Sequence, residues 1–222
     1  MPFNALIFDF DGLILDTEVP IYEAWVSNYR AHGKELSIEI YSGCVGSDFN
    51  GFDPKAHLEE MLGERVDWNR WDPLRESEAH ERTDAMEPLP GIIPILEEAM
   101  EQGFPCVVAS SSPRSWVEGH LIRLELMNFF FATRCLDDVK APKPAPDLFL
   151  AAAEVLNKKP ESCLVLEDSL NGLIAATAAN IPCLAVPNRI TEHLDFTGAA
   201  SLLESLEGVN LGRLREIHAG TN

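Results

Sequence analysis

Ala5-Leu6-Ile7-Phe8-Asp9-Phe10-Asp11-Gly12 is the stretch from which the fold can be read. An unbroken apolar run meets two acids and a glycine, the pattern of a strand buried on both faces that ends in a loop. Comparable runs recur at Pro105 to Ala109, Cys163 to Leu166 and Pro182 to Val186, with a weaker one at Ala132 to Leu136. Helical patterns lie between them: Ile92 to Gln102, Ser115 to Leu126, Pro146 to Leu156 and Leu170 to Ala179. Several begin next to a proline, and the last is closed by Asn180 and Pro182. This alternation predicts an α/β protein, a Rossmann-like doubly wound parallel sheet with helices on each side.

One region breaks the alternation. Between Asp16 and Glu87 the patterns are helical only, at Ile21 to Ala31, Pro54 to Leu62 and Pro73 to Met86. The expectation is an α/β core domain at 1–15 and 88–222 that carries an inserted all-helical domain at 16–87. Glu87-Pro88-Leu89-Pro90-Gly91 has the prolines and glycine of a stiff connection between the two.

With 222 residues there is room for one core and a smaller second unit. A formal net charge of −19 argues against nucleic acid as a partner. No segment approaches the ~20 apolar residues of a membrane span, and the N-terminus lacks the pattern of a signal peptide. Cys44, Cys106, Cys135, Cys163 and Cys183 are widely spaced with no CxxC pair, as expected of buried thiols in a reducing compartment. A cytoplasmic monomer or weak homodimer acting on a small molecule fits these features. An acidic protein that binds a phosphorylated molecule must reverse the local potential with a metal ion and a fixed cation.

In open parallel sheets ligands bind at the carboxyl ends of the strands, so the residues just past each apolar run carry the chemistry. There the sequence places Asp9 and Asp11, then Ser110, Ser111 and Ser112, then Glu167 and Asp168. Lys143 stands in the proline-flanked loop Lys140-Ala141-Pro142-Lys143-Pro144. Carboxylates gathered at one crevice repel one another unless a divalent cation neutralises them. An all-oxygen donor set suits magnesium. Phosphoryl transfer needs an in-line nucleophile, an acid for the leaving oxygen and positive charge around the equatorial oxygens, and this inventory supplies each.

Four segments together resemble the haloacid dehalogenase superfamily: Asp9-Phe10-Asp11-Gly12-Leu13, Val107-Val108-Ala109-Ser110, Lys143-Pro144-Ala145-Pro146-Asp147, and Leu166-Glu167-Asp168-Ser169 with Gly172 close behind. They stand in family order, and the helical insert matches the family's C1 cap. Within the superfamily the chain is similar to the β-phosphoglucomutase and sugar-phosphate phosphatase group, which shares the continuation Asp16-Thr17-Glu18. The resemblance implies that Asp9 is the nucleophile and forms an aspartyl-phosphate, with Asp11 as general acid and base. It further implies that Asp9, the Asp11 backbone carbonyl, Asp168 and Glu167 hold magnesium, and that Ser110, Ser111 and Lys143 hold the phosphoryl oxygens; Glu18, just after the first motif where core and cap meet, is a candidate contact to the leaving group.

The cap decides between phosphatase and mutase. The mutase pattern has a histidine after the Asp-Thr element and an arginine in the first cap loop; here Val19-Pro20-Ile21-Tyr22 and Gly43 to Asp53 contain neither. The expected activity is therefore hydrolysis of a small phosphomonoester, with a β-phosphoglucomutase-type mutase as the alternative and a non-catalytic phosphometabolite-binding protein as a remote one. A dehalogenase fits poorly, because those enzymes lack an acid equivalent to Asp11. Trp68 and Trp71 are expected to pack a helix rather than stack on a sugar, and Arg65, Arg70, Arg75 and Arg82 are read as surface charges within reach of a substrate.

Overall fold

The computed structural model describes residues 3–42 and 52–220. Cys44 and most of the arginine-free first cap loop fall outside them. Six strands, β1 (Leu6–Phe8), β2 (Cys106–Ala109), β3 (Ala132–Arg134), β4 (Leu164–Glu167), β5 (Cys183–Ala185) and β6 (Ser201–Leu202), form one sheet in the order β3-β2-β1-β4-β5-β6. All neighbours are parallel, as the alternation of apolar runs and helical patterns predicts. β6 is not anticipated by the sequence reading, since it is two residues long, lies at the sheet edge and lacks an apolar run.

β1 is central, with Ile7 opposite Val107 on one side and Val165 on the other. The chain runs outward from β1 through β2 to β3, then crosses back to β4. The carboxyl ends of β1 and β4 therefore flank the switch point at which open sheets bind ligands.

Between β1 and β2 come the helices α1 (Glu18–Ala31), α2 (Ile38–Tyr41), α3 (Pro54–Leu62), α4 (Trp68–Asp84) and α5 (Ile92–Glu101). The later helices are α6 (Arg114–Arg123), α7 (Asp147–Val155), α8 (Leu170–Ala178) and α9 (Leu211–Gly220). On α5 the buried positions are Ile92, Ile95, Leu96 and Ala99, the spacing that puts one stripe against a sheet. With α6 and α9, this stripe covers the face that displays Leu6, Phe8, Val108 and Leu166. Helices α7 and α8 cover the other face, against Ile7, Val107 and Val165.

The helices α1 to α4 have a small apolar centre of their own. It is built on Trp25, Tyr29, Leu36, Tyr41 and Leu58, and Ile190 from beyond β5 enters it. Helix α4 starts at Trp68, five residues ahead of the expected Pro73. The Asp67 carbonyl accepts N–H bonds from Arg70 (3.0 Å) and Trp71 (3.1 Å), and the Trp68 ring meets Trp25 at 6.1 Å. Those contacts begin the helix early and leave Pro73 inside it, at the cost of a backbone hydrogen bond. The two connections to the sheet are tied together where the Leu89 N–H donates to the Ile14 carbonyl (2.9 Å). No helix among the described residues is long and apolar enough to cross a membrane.

Candidate active site

Asp9, Asp11, Glu18, Ser110, Ser111, Lys143, Glu167 and Asp168, drawn from five separate parts of the chain, all line one cavity of about 660 Å³. Asp9 is the residue directly after β1, its backbone N–H donating to the Leu166 carbonyl (3.0 Å) and its side chain buried. Glu167 ends β4 and Asp168 follows it, both also buried. One carboxylate oxygen from each of Asp9, Glu167 and Asp168 lies within 4.8 Å of the others.

Lys143 reaches this group from the loop between β3 and α7 and is 2% exposed. Its ammonium binds Asp9 Oδ1 and donates to Glu167 Oε1 at 2.6 Å, and it lies 4.8 Å from the centre of the Phe149 ring. The second Glu167 oxygen accepts the Ser169 N–H (2.7 Å) and hydroxyl (2.9 Å). Ser169 also caps α8 by accepting the Gly172 N–H at 3.1 Å. A Cβ at Gly172 would lie 1.8 Å from the Glu167 carboxyl carbon, so glycine is the residue that lets this carboxylate lie across the helix start. Gly12 is constrained in the same way. Its φ is +81°, and a Cβ there would lie 2.2 Å from Asp168 Oδ2.

The electrostatics of the cluster favour a cation. Burial pushes Asp9 up to about 8; the Lys143 ammonium pulls it back, while Glu167 and Asp11 add repulsion. Asp168 is raised well above the usual carboxylate range by burial and then by Glu167 and Asp9. Burial acts to lower Lys143, but Asp9 and Glu167 outweigh it and hold its pKa above that of an ordinary lysine. Three buried carboxylates served by one ammonium need further positive charge to stay ionised, and an all-oxygen set of this kind fits a hard divalent cation.

Asp11 is turned away from that cluster. Its Oδ1 accepts the Thr17 hydroxyl (2.8 Å) and the Trp116 indole N–H (2.8 Å), and its Oδ2 accepts the hydroxyls of Ser112 (2.6 Å) and Ser110 (3.1 Å). The Ser111 hydroxyl accepts the Lys143 backbone N–H at 3.2 Å, tethering the lysine loop to the end of β2. Glu18, in the first turn of α1, is half-buried and accepts no hydrogen bond from the described residues. Burial, then the charges of Asp11 and Asp9, pushes it up to about 8.

Helix α4 supplies the opposite wall with Arg75, Glu76, Ala79 and His80, joined by Tyr41 of α2. Trp68 and Trp71 lie away from the cavity, as expected of packing residues. Trp68 donates to Glu59 at 2.9 Å, and Trp71 meets His32 at 4.6 Å. Arg65 and Arg82 pair with surface acids, so of the four cap arginines Arg75 is the one at the cavity. Cys106, Cys135, Cys163 and Cys183 are free and buried, as their spacing suggested.

Three participants were not singled out by sequence. Asn188 donates to Asp168 Oδ2 (2.7 Å) and to the Gly12 carbonyl (3.3 Å). It stands just past the apolar run ending at Val186, so the rule that located Glu167 and Asp168 also reaches it. Ser112 was visible as a polar strand-end residue, though not as a partner of Asp11. Trp116 carried no signal, because an aromatic in the first turn of a helix looks like packing until its neighbours are known.

The family model of the haloacid dehalogenase-like hydrolases matches residues 6–186. "Putative phosphatase YhcW" of Bacillus subtilis (strain 168) is 39% identical over 95% of this chain and 96% of its own. Fructose-1-phosphate phosphatase YqaB of Escherichia coli (strain K12) is 31% identical over 83% of this chain and 96% of its own. Among solved structures, CbbY from Rhodobacter sphaeroides in complex with phosphate superposes with a TM-score of 0.73 at 27% identity, covering 96% of this chain and 99% of that one.

Proposed function

This chain belongs to the haloacid dehalogenase-like hydrolases, and on that footing we propose that it is a magnesium-dependent phosphatase that hydrolyses a small phosphomonoester, a sugar phosphate or similar phosphometabolite, through an aspartyl-phosphate. The observation that carries this reading is the division of labour between the two acids of the first loop. Asp9 is packed into the carboxylate cluster beside Lys143, and Asp11 is held apart from it by four donors. The sugar-phosphate class is supported by the relatives named for such substrates.

In the first step an Asp9 carboxylate oxygen attacks phosphorus and forms the P–O bond of the aspartyl-phosphate. The bond from phosphorus to the leaving oxygen breaks as that oxygen takes a proton from Asp11. In the second step water attacks the same phosphorus, gives a proton to Asp11, and the Asp9–phosphorus bond breaks to release phosphate. Lys143, Ser110 and Ser111 hold the phosphoryl oxygens, the lysine acting as a fixed point charge where negative charge collects. Magnesium, held by Asp9, Asp168 and the Asp11 carbonyl with Glu167 direct or through water, would supply the remaining positive charge. Glu18 contacts the leaving group.

The helices of 16–87 act as the cap over a core formed by 1–15 and 88–222. Arg75 and Glu76 then meet the leaving group as the cap shuts water out.

Release of phosphate from p-nitrophenyl phosphate and from a panel of sugar phosphates tests the reading, with the organic products separated. Hydrolysis should require magnesium, stop on chelation, and fall by at least ~10³-fold in Asp9→Asn, as expected when a nucleophile is removed. Turnover that survives Asp9→Asn rejects the covalent route. Interconversion of a sugar 1-phosphate and 6-phosphate with little phosphate release would assign the chain to the mutases.

A further inference from the structure

We propose that Trp116 is a positioning residue for the acid–base step. Its indole N–H aims the Asp11 carboxylate, and its ring passes the position of the inserted helices to that carboxylate. The inference rests on the phosphatase reading, in which Asp11 protonates the leaving oxygen.

Four donors reach Asp11, and they differ in kind. Thr17, Ser110 and Ser112 offer hydroxyls, each of which can rotate its hydrogen toward another acceptor. The indole has one N–H in the plane of a rigid ring and no acceptor, so its direction is set by how the ring is packed. That packing is tight. His120 meets the Trp116 ring edge-on, with centroids 4.4 Å apart and an interplanar angle of 81°. His120 in turn stacks on Phe10, the residue between the two acids, at 6.2 Å.

The Trp116 ring also meets His80 of α4 at 5.3 Å and 34°. His80 is exposed and lines the same cavity. One ring therefore touches a cap helix and holds Asp11 Oδ1 at 2.8 Å. Thr17, immediately ahead of α1, shares that oxygen at 2.8 Å. The oxygen is thus gripped from both sides of the cap–core junction, and a shift of α4 reaches it through Trp116.

The test uses three esters whose leaving groups depend to different degrees on protonation: p-nitrophenyl, phenyl and benzyl phosphate. Nitrophenolate departs without help, whereas the benzyl alkoxide needs its proton during departure. For a two-step enzyme kcat/KM reports the steps up to release of the leaving group, so it isolates this proton transfer. Trp116→Phe keeps an aromatic ring and removes the N–H. It should lower kcat/KM for benzyl phosphate about tenfold, part of the 10²–10⁴ that general acids supply. The p-nitrophenyl ester should change less than about twofold, with phenyl phosphate between them.

An equal fall for all three esters, or no fall, overturns the proposal, because a residue that only supports the fold would not discriminate among leaving groups. His80→Ala gives a second reading at an exposed position where folding is not at stake. The same ratio should fall by about threefold, and an unchanged ratio overturns the link to the cap even if Trp116→Phe fails to fold. Wild-type protein that cleaves none of the esters with magnesium rejects the phosphatase reading and takes this proposal with it. Wild-type cleavage with an unmoved ratio rejects this proposal alone.

Discussion

At the sheet edge, Lys143 is 2% exposed with its ammonium bound to two carboxylates, and both oxygens of Glu167 and of Asp11 accept hydrogen bonds. Across the cavity, on α4, His80 is exposed. The Arg75 guanidinium lies over Trp25 at 4.4 Å with Glu76 at 3.1 Å and Asp72 at 3.7 Å, while its Nε has no hydrogen-bond partner among the described residues. The floor is over-determined, whereas the roof leaves the Arg75 Nε without a partner among the described residues and His80 exposed. Chemistry that tolerates little displacement belongs on the first, because a fully satisfied buried network has one arrangement. Selection among leaving groups suits the second, where Arg75 and Glu76 can change while the hydrogen bonds that hold the acids stay in place.

Lys143→Met should give the largest effect, since it acts on the floor. It leaves Asp9 and Glu167 buried without their cation, a loss of about 3–5 kcal/mol in stability of the kind seen when one partner of a buried pair is removed. Turnover should fall for every ester alike. Chemical denaturation and kcat/KM across the substrate panel check both halves. A variant that is active on some esters and not others would show that the lysine selects substrates, which breaks the contrast.

A change in the roof should have a different signature. Arg75→Ala should reorder kcat/KM among sugar phosphates by about tenfold, the size of one altered pocket contact, whereas Lys143→Met scales them together. Uniform loss across the panel would place Arg75 with the chemistry instead.

Glu18 lies between the two regions and should give the smallest effect. Its folded pKa of about 8 stands above the usual 4.5. A group raised in this way stabilises the fold below its unfolded pKa, and that contribution is lost as pH rises through the folded value. Glu18→Gln should therefore leave the melting temperature nearly unchanged at pH 5 and raise it at pH 8. Discounted for the solvent that reaches this half-buried side chain, the gain is about 1 kcal/mol, or ~2–4 °C. A gain of equal size at pH 5 would assign the effect to packing rather than to charge.

These two regions were legible to different degrees. The acids and the serine of the floor could be read because each ends an apolar run or follows one closely, Asp9 after Phe8, Ser110 after Ala109, Glu167 and Asp168 after Leu166, whereas Lys143 was marked by its proline-flanked loop. A parallel sheet brings such ends to a single edge whatever the connections do. Asn188 obeys the same rule after Val186. Trp116 does not, because it lies inside a helix and acquires its role from Asp11, more than a hundred residues away. The early start of α4 was hidden for a similar reason, as Pro73 is a local signal and the Trp25–Trp68 contact is not.

By itself, then, the sequence determined the order and spacing of the acids, the lysine that accompanies them and the α/β alternation that delivers them together. Those are properties of periodicity and chain order, which need no knowledge of packing. Tertiary structure alone decided which donors orient Asp11, that Gly172 makes room for Glu167, and which arginine of the insert reaches the cavity. Such contacts depend on the angle at which one helix meets another, and no pattern within a single element encodes that angle.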